Sequence, residues 1–186
     1  LSQWHDTDGR RARGERKRAE IIAAALRVVE RDGVAGVTHR TVAREAAVSP
    51  SATNYHFATL DDLLVAALTE AVRDYADQLE ALVDSGCDAI DGLAALTADA
   101  GGSGRGRALA ERELTLLAAR RPALRPVARH WRETVAGVAR RHTHDQVRIQ
   151  AMVAAADGVC ARVLLDDEKV TAAEVRAVLR SALGLD

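Results

Sequence analysis

Apolar residues recur along most of this chain at intervals of three and four, the spacing that lines one face of an α-helix. Ile22, Ala25, Leu26 and Val29 form the first clear stripe, and Asp32-Gly33 closes it, because glycine readily takes the left-handed conformation at a helix C-terminus. Thr38 is placed to cap a short second helix whose buried face holds Val42, Ala43 and Ala46. The chain breaks at Ala46-Ala47-Val48. Ser49 then caps a third helix, with Pro50 at its first position, where the missing N–H is no loss. Thr59, with Asp61 and Asp62 suited to a helix N-terminus, opens a long amphipathic helix that runs to about Leu82. Further helical segments are predicted at 88–100, 107–120, 122–142, 145–166 and 171–183, with a flexible glycine-rich loop over 101–106.

The expected architecture is all-α. A flexible basic arm (1–14) leads into a three-helix domain (15–59) and a larger helical body (60–186). Composition agrees: hydrophobic residues make up 48% but aromatics only 3%, and alanine and leucine dominate, which favours helix over strand.

Charge sharpens the picture. Residues 9–57 hold 10 Arg and Lys against 5 Asp and Glu, while the rest of the chain holds 16 against 22. A basic end on an acidic remainder points to one polyanion-binding region. Cys87 and Cys160 lie far apart and outside any CxxC pair, so both are expected to be free thiols. Residues 1–18 lack the apolar centre of a secretory leader, and no stretch approaches the roughly 20 apolar residues of a membrane span. A cytoplasmic setting without membrane association is expected.

The helix from Pro50 to about Phe57 carries the candidate chemistry. Two short helices joined by a tight turn and preceded by a packing helix make a helix-turn-helix, whose second helix must offer polar groups to base edges and phosphates. Ser51, Ala52, Thr53, Asn54, Tyr55 and His56 supply that face. No nucleophile with a base, no metal set and no phosphate loop accompanies it, so an enzyme is not expected, nor any cofactor. His142-Thr143-His144 lacks further ligands, and alternate residues do not share a helix face, so no metal is expected there.

From about Arg18 to Leu68 the chain resembles the TetR family of bacterial regulators. The resemblance rests on 21–26, 33–38, Val42-Ala43-Arg44-Glu45-Ala46, Val48-Ser49 and Tyr55-His56-Phe57, in that order. It implies that Thr38 caps the second helix and bonds a phosphate, that Arg40 touches backbone or base, and that Ser49 caps the recognition helix. Tyr55 and His56 would then contact phosphates, while Phe57 packs into the core. Three positions depart from the family pattern. Ala47 stands at the turn glycine, Asn54 at a usual tyrosine and Leu60 at a usual lysine. Asparagine can bond adenine through two hydrogen bonds, so Asn54 is a candidate base reader.

The resemblance also implies a dimer on a palindromic double-stranded DNA operator, released by a small-molecule effector lodged in the helical body. Pocket candidates are Glu113, Leu117, Val127, His130, Trp131, Val135 and Met152. Homodimer candidates, small or apolar residues on the last two helices, are Ala151, Ala155, Gly158 and Val159, with Val175, Val178 and Leu179. An activator, or a dimeric DNA-binding protein without an effector, fits the same residues.

Overall fold

The computed structural model describes residues 3–166 and 169–185, and side chains from Gly9 onward. Nine α-helices and no strand occur among these residues: α1 (Gln3–Asp32), α2 (His39–Glu45), α3 (Pro50–His56), α4 (Leu60–Asp84), α5 (Ala89–Asp99), α6 (Arg105–Leu117), α7 (Arg125–Arg140), α8 (Gln146–Leu165) and α9 (Ala172–Leu183). The predicted segments of the helical body each meet a helix within a few residues, except that 122–142 opens with a 3-10 turn at Pro122–Leu124 before α7 begins. Pro126 sits in the first turn of α7, where its lost N–H has no helical partner to forfeit.

The arm expected at 1–14 is different. Helix α1 begins at Gln3, so the described part of this segment is helical, and Leu1 and Ser2 lie outside the described residues. Gly9 and Gly14 depress helix propensity, but the run from Arg10 to Glu20 is rich in arginine and glutamate, and Arg11 pairs with Glu15 one turn on.

Caps fix most other boundaries. Thr38 Oγ1 accepts from the Thr41 N–H at 3.0 Å while Thr41 Oγ1 accepts from the Thr38 N–H at 2.9 Å, a reciprocal box that starts α2. Ser49 Oγ accepts from the Ala52 N–H at 3.2 Å. Thr59 and Asp62 repeat the reciprocal arrangement at the start of α4.

Packing forms two apolar cores. The first gathers Ile21, Val28 and Val29 of α1, Val42 of α2, Phe57, and Leu63, Leu64 and Leu68 of α4; Ala110 and Leu114 of α6 close it. The second holds Leu79 of α4 with α5, α7, α8 and α9. Helix α4 therefore serves both cores, and Trp131 of α7 packs against both. Burying Phe57, only 2% exposed, contributes about 2 kcal/mol and pins the end of α3 to the first core. The Arg18 guanidinium lies 4.9 Å from the centre of its ring. Among the described residues no helix is long and apolar enough to cross a membrane.

Candidate nucleic-acid interface and effector cavity

Helices α2 and α3 are joined at Ala46-Ala47-Val48. Ala47 has φ 53, the one non-glycine residue among those described with positive φ. The Val48 N–H donates to the Ala43 carbonyl at 2.9 Å and the Ala47 N–H to the Arg44 carbonyl at 3.2 Å. That pairing is a Schellman closure, whose left-handed position is normally glycine. The position thus keeps the conformation of the turn without the residue that tolerates it best.

On α3, Ser51, Asn54 and Tyr55 are exposed, Tyr55 at 85%, while Ala52 and His56 are half-buried. The Tyr55 and His56 rings meet edge to face with centroids 5.2 Å apart. Thr38, Arg40 and Ser49 are also exposed, around the same turn. Thr53 is a correction. It is fully buried, and its Oγ1 lacks a hydrogen-bond partner, so it faces the core one turn before Phe57 and is unavailable to DNA. Leu60, at the usual lysine position, packs against the first core. Arg27 and Arg31 of α1 donate to the Glu45 carboxylate, both at 2.8 Å, clamping α2 to α1. These hydrogen bonds hold the Glu45 carboxyl below the usual range.

The body contains a cavity open to solvent, about 830 Å³ when the solvent space at its mouth is counted. Val72, Tyr75 and Gln78 of α4 form one wall, Leu96, Thr97 and Asp99 of α5 another. Arg107, Ala108, Glu111, Arg112 and Thr115 of α6 face them, with Trp131 of α7 and Ala156, Asp157 and Cys160 of α8 completing the lining. The Tyr75 and Trp131 rings lie 6.4 Å apart and tilted by 49°. Burial pushes the Tyr75 phenol and the Cys160 thiol up, so both stay neutral at ordinary pH.

Two guanidiniums line the cavity and both are engaged. Arg107 Nη2 donates to Asp74 Oδ2 at 3.1 Å, and Arg112 donates to Asp157 Oδ1 and its carbonyl at 2.8 and 2.7 Å. Glu111 Oε1 is buried without a hydrogen-bond partner. Desolvation pushes its carboxyl up to about 7, against the opposing pull of Arg107 and with help from Asp74 and Glu30.

Of the pocket candidates read from the sequence, Trp131 lines this cavity; the others do not. Glu113 instead accepts from the Val34 backbone N–H at 2.6 Å, reaching the turn that leads into α2. Leu117 and Val127 pack on the first core, Val135 and Met152 are fully buried in the second, and His130 is exposed away from the cavity. Glu111 was missed because it lies two positions from Glu113, on the opposite flank of the Ala110–Leu114 stripe. Its available signal was helical phase: Arg107, Glu111 and Thr115 recur at i, i+4 and i+8.

The dimer candidates divide similarly. Val159, Val175 and Leu179 are buried within the protomer, so they are not free to meet a partner. Ala151, Gly158 and Val178 are exposed and Ala155 is half-buried. The open seam of α8 runs through Val147, Ala151, Ala154, Gly158 and Leu165, with Val147 75% and Leu165 81% exposed.

Comparison with known proteins places this geometry. Residues 21–67 match the family described as bacterial regulatory proteins, tetR family, and residues 84–185 match the tetracyclin repressor-like C-terminal domain. The chain belongs to the TetR family. As a member it is a DNA-binding transcription regulator, not an enzyme.

Similar solved structures include the multidrug binding protein EbrR complexed with ethidium, at 44% identity and TM-score 0.76, covering 89% of this chain and 98% of that one. A TetR-family member from Streptomyces coelicolor A3 gives 44% identity and TM-score 0.78, over 89% and 97% of the two chains. HdnoR, the nicotine-responsive transcriptional repressor of Paenarthrobacter nicotinovorans, is 36% identical over 72 residues, 39% of this chain and 37% of its own length. This TetR-family regulator thus spans little more than a third of HdnoR in that match.

Proposed function

We propose that this regulator is an effector-responsive repressor that binds a palindromic operator as a dimer and lets go when an aromatic organic compound fills the cavity. The observation that carries the reading is the dual attachment of α6: it lines the cavity through Arg107, Glu111 and Arg112 and bonds the Val34 N–H through Glu113. A ligand that moves α6 would therefore act directly on the turn that positions α2 and α3. Repression and ligand binding are named for similar proteins: HdnoR is a nicotine-responsive repressor, and EbrR binds ethidium, malachite green and proflavin. Aromatic compounds of that kind suit a cavity walled by Tyr75 and Trp131.

On the DNA side, Thr38, Arg40, Ser49, Ser51, Asn54, Tyr55 and His56 are the proposed contacts, with Ala52 at the edge of the same surface. A two-fold pair of α3 helices would enter successive major grooves about 34 Å apart. The exposed α8 seam, with Val178 of α9 beside it, is the proposed dimer contact. The test is operator binding followed by anisotropy at several salt concentrations, with and without candidate dyes. The expected outcome is steep salt dependence, preference over scrambled duplex, and dye-dependent release. Equal affinity for scrambled duplex would sink the specific-regulator reading. Within it, Tyr55→Ala should weaken binding to every sequence, whereas Asn54→Ala should relax preference at one base pair per half-site.

A further inference from the structure

Charge within the cavity is unevenly satisfied. Each lining arginine already has an aspartate partner: Arg107 with Asp74 of α4 and Arg112 with Asp157 of α8. Asp99 of α5 accepts from Ser103 Oγ at 2.7 Å near the mouth. Glu111 remains, a carboxylate with a buried oxygen that nothing bonds, in a space shared with two aromatic rings. Tyr75 and Cys160, which line the same space, are neutral groups, and α7 contributes only the uncharged Trp131. Arg107 pulls Glu111 toward its charged form, and Asp74 and Glu30 of α1 oppose it. Both lining arginines already bond aspartates, and neither bonds the buried Glu111 oxygen.

A buried carboxylate without a partner is costly, and the cost is met either by protonation or by a counter-ion. We propose that Glu111 makes this cavity selective for lipophilic organic cations, its carboxylate serving as the counter-ion while Tyr75 and Trp131 flank the ligand's aromatic body. The aromatic faces add to the attraction, since ring quadrupoles favour cations. The inference rests on the reading of the cavity as the effector site and gives it a chemical class.

A proton balance follows. In the empty cavity near neutral pH, part of the population holds Glu111 as the neutral acid. Binding a cation favours the carboxylate, so the acid proton leaves to solvent as the ligand enters. Cation affinity must therefore rise with pH until Glu111 is ionised in the free protein, and then level off. With its carboxyl near 7, the rise from pH 6 to pH 8 is roughly tenfold. Neutral ligands follow no such slope.

The test uses the full chain without DNA. Ethidium binding is followed by fluorescence from pH 6 to 8, and the uncharged 6-phenylphenanthridine is compared with it at pH 8. The expected results are a roughly tenfold gain for ethidium across the range and at least tenfold preference over the uncharged analogue at pH 8. Titration calorimetry in buffers of different ionisation enthalpy should register proton release at pH 7. Glu111→Gln should bind ethidium at least tenfold more weakly at pH 8 and lose the slope, while keeping its affinity for the uncharged analogue.

Failure of wild type to bind ethidium at pH 8, equal affinity for the two compounds, or an unchanged pH slope in Glu111→Gln would each overturn the proposal. The wild-type pH series keeps it falsifiable should the variant fold poorly. Ethidium binding that leaves operator affinity untouched would instead sink the effector reading, with the charge selectivity of Glu111 intact.

Discussion

The Glu113 carboxylate accepts the Val34 backbone N–H at 2.6 Å, and it also fills the space where a side chain at Gly33 would lie, 3.1 Å from its Oε2. Gly33 has φ 72, so the turn after α1 is shaped to receive the carboxylate. One side chain of the body thus holds the entrance to the DNA-reading helices.

Glu113→Ala removes this tie while leaving the cavity lining and the face of α3 untouched. The bond is exposed, so the expected loss of stability is about 1 kcal/mol or less. Coupling should suffer more. The factor by which an effector dye changes operator affinity should fall several-fold, while dye affinity of the DNA-free protein holds. Anisotropy titrations of operator with and without dye give that factor directly. An unchanged factor would mean that the signal passes to the head by another route.

Ala47 leads to a second expectation. Its positive φ places Cβ close to the following carbonyl, a cost of roughly 1–2 kcal/mol that glycine avoids, less the extra chain entropy glycine loses on folding. Ala47→Gly should therefore stabilise the protein by about 1 kcal/mol, raising Tm by about 2–4 °C for a chain of this size. Thermal unfolding checks it, and no gain in Tm would show that the turn relaxes around alanine. Operator affinity should change little, since the glycine preserves the same turn.

That strain could be read from the sequence because local rules set it: a two-helix unit with this spacing demands a left-handed residue, whatever occupies the place. The caps at Thr38, Ser49 and Thr59 were legible for the same reason, each being a side chain bonding its own backbone. Tertiary choices were less visible. Thr53 looks polar on paper, yet its phase with Phe57 turns it inward. Glu113 is a pocket candidate in the sequence and Glu111 is not, because only the packing of α4, α5 and α8 decides which flank of α6 encloses space. Val159, Val175 and Leu179 read as partner-facing in the sequence because an apolar residue on a terminal helix serves a protomer core and a subunit face equally well. The first turns of α1 were missed because they carry almost no apolar pattern.

The exposed seam of α8 allows a clean test of assembly. Val147, Ala151, Ala154, Gly158 and Leu165 follow a heptad-like spacing, and a Cβ at Gly158 would meet nothing within 4 Å. Ala154→Glu adds a charge to this seam at a site exposed in the protomer, so the fold should persist. Sedimentation should show the variant as a monomer at concentrations where wild type is a dimer. Operator affinity should fall at least tenfold, because each half-site is then bound alone. A dimeric variant with full affinity would place the subunit contact elsewhere.

The buried carboxylate of Glu111 sets a pH dependence of stability whose sign is opposite to that of a salt-bridged acid. Its carboxyl is raised from the ordinary 4.5 to about 7, chiefly by desolvation, so the folded chain holds a proton that the unfolded chain releases. Between those values the folded state binds more protons, and stability falls as pH rises. Above about pH 7 the charge sits desolvated and the loss is complete, on the order of 3 kcal/mol at most. Glu111→Gln should thus be close to wild type in stability at pH 5 and clearly more stable at pH 8, by about 5–10 °C in Tm. The same variant is expected to bind ethidium worse, so stability and recognition should move in opposite directions at one residue. Melting curves at the two pH values decide the matter. An equal Tm difference at pH 5 and pH 8 would mean that Glu111 is already ionised in the folded protein across this range, and that the cavity accommodates its charge without a ligand.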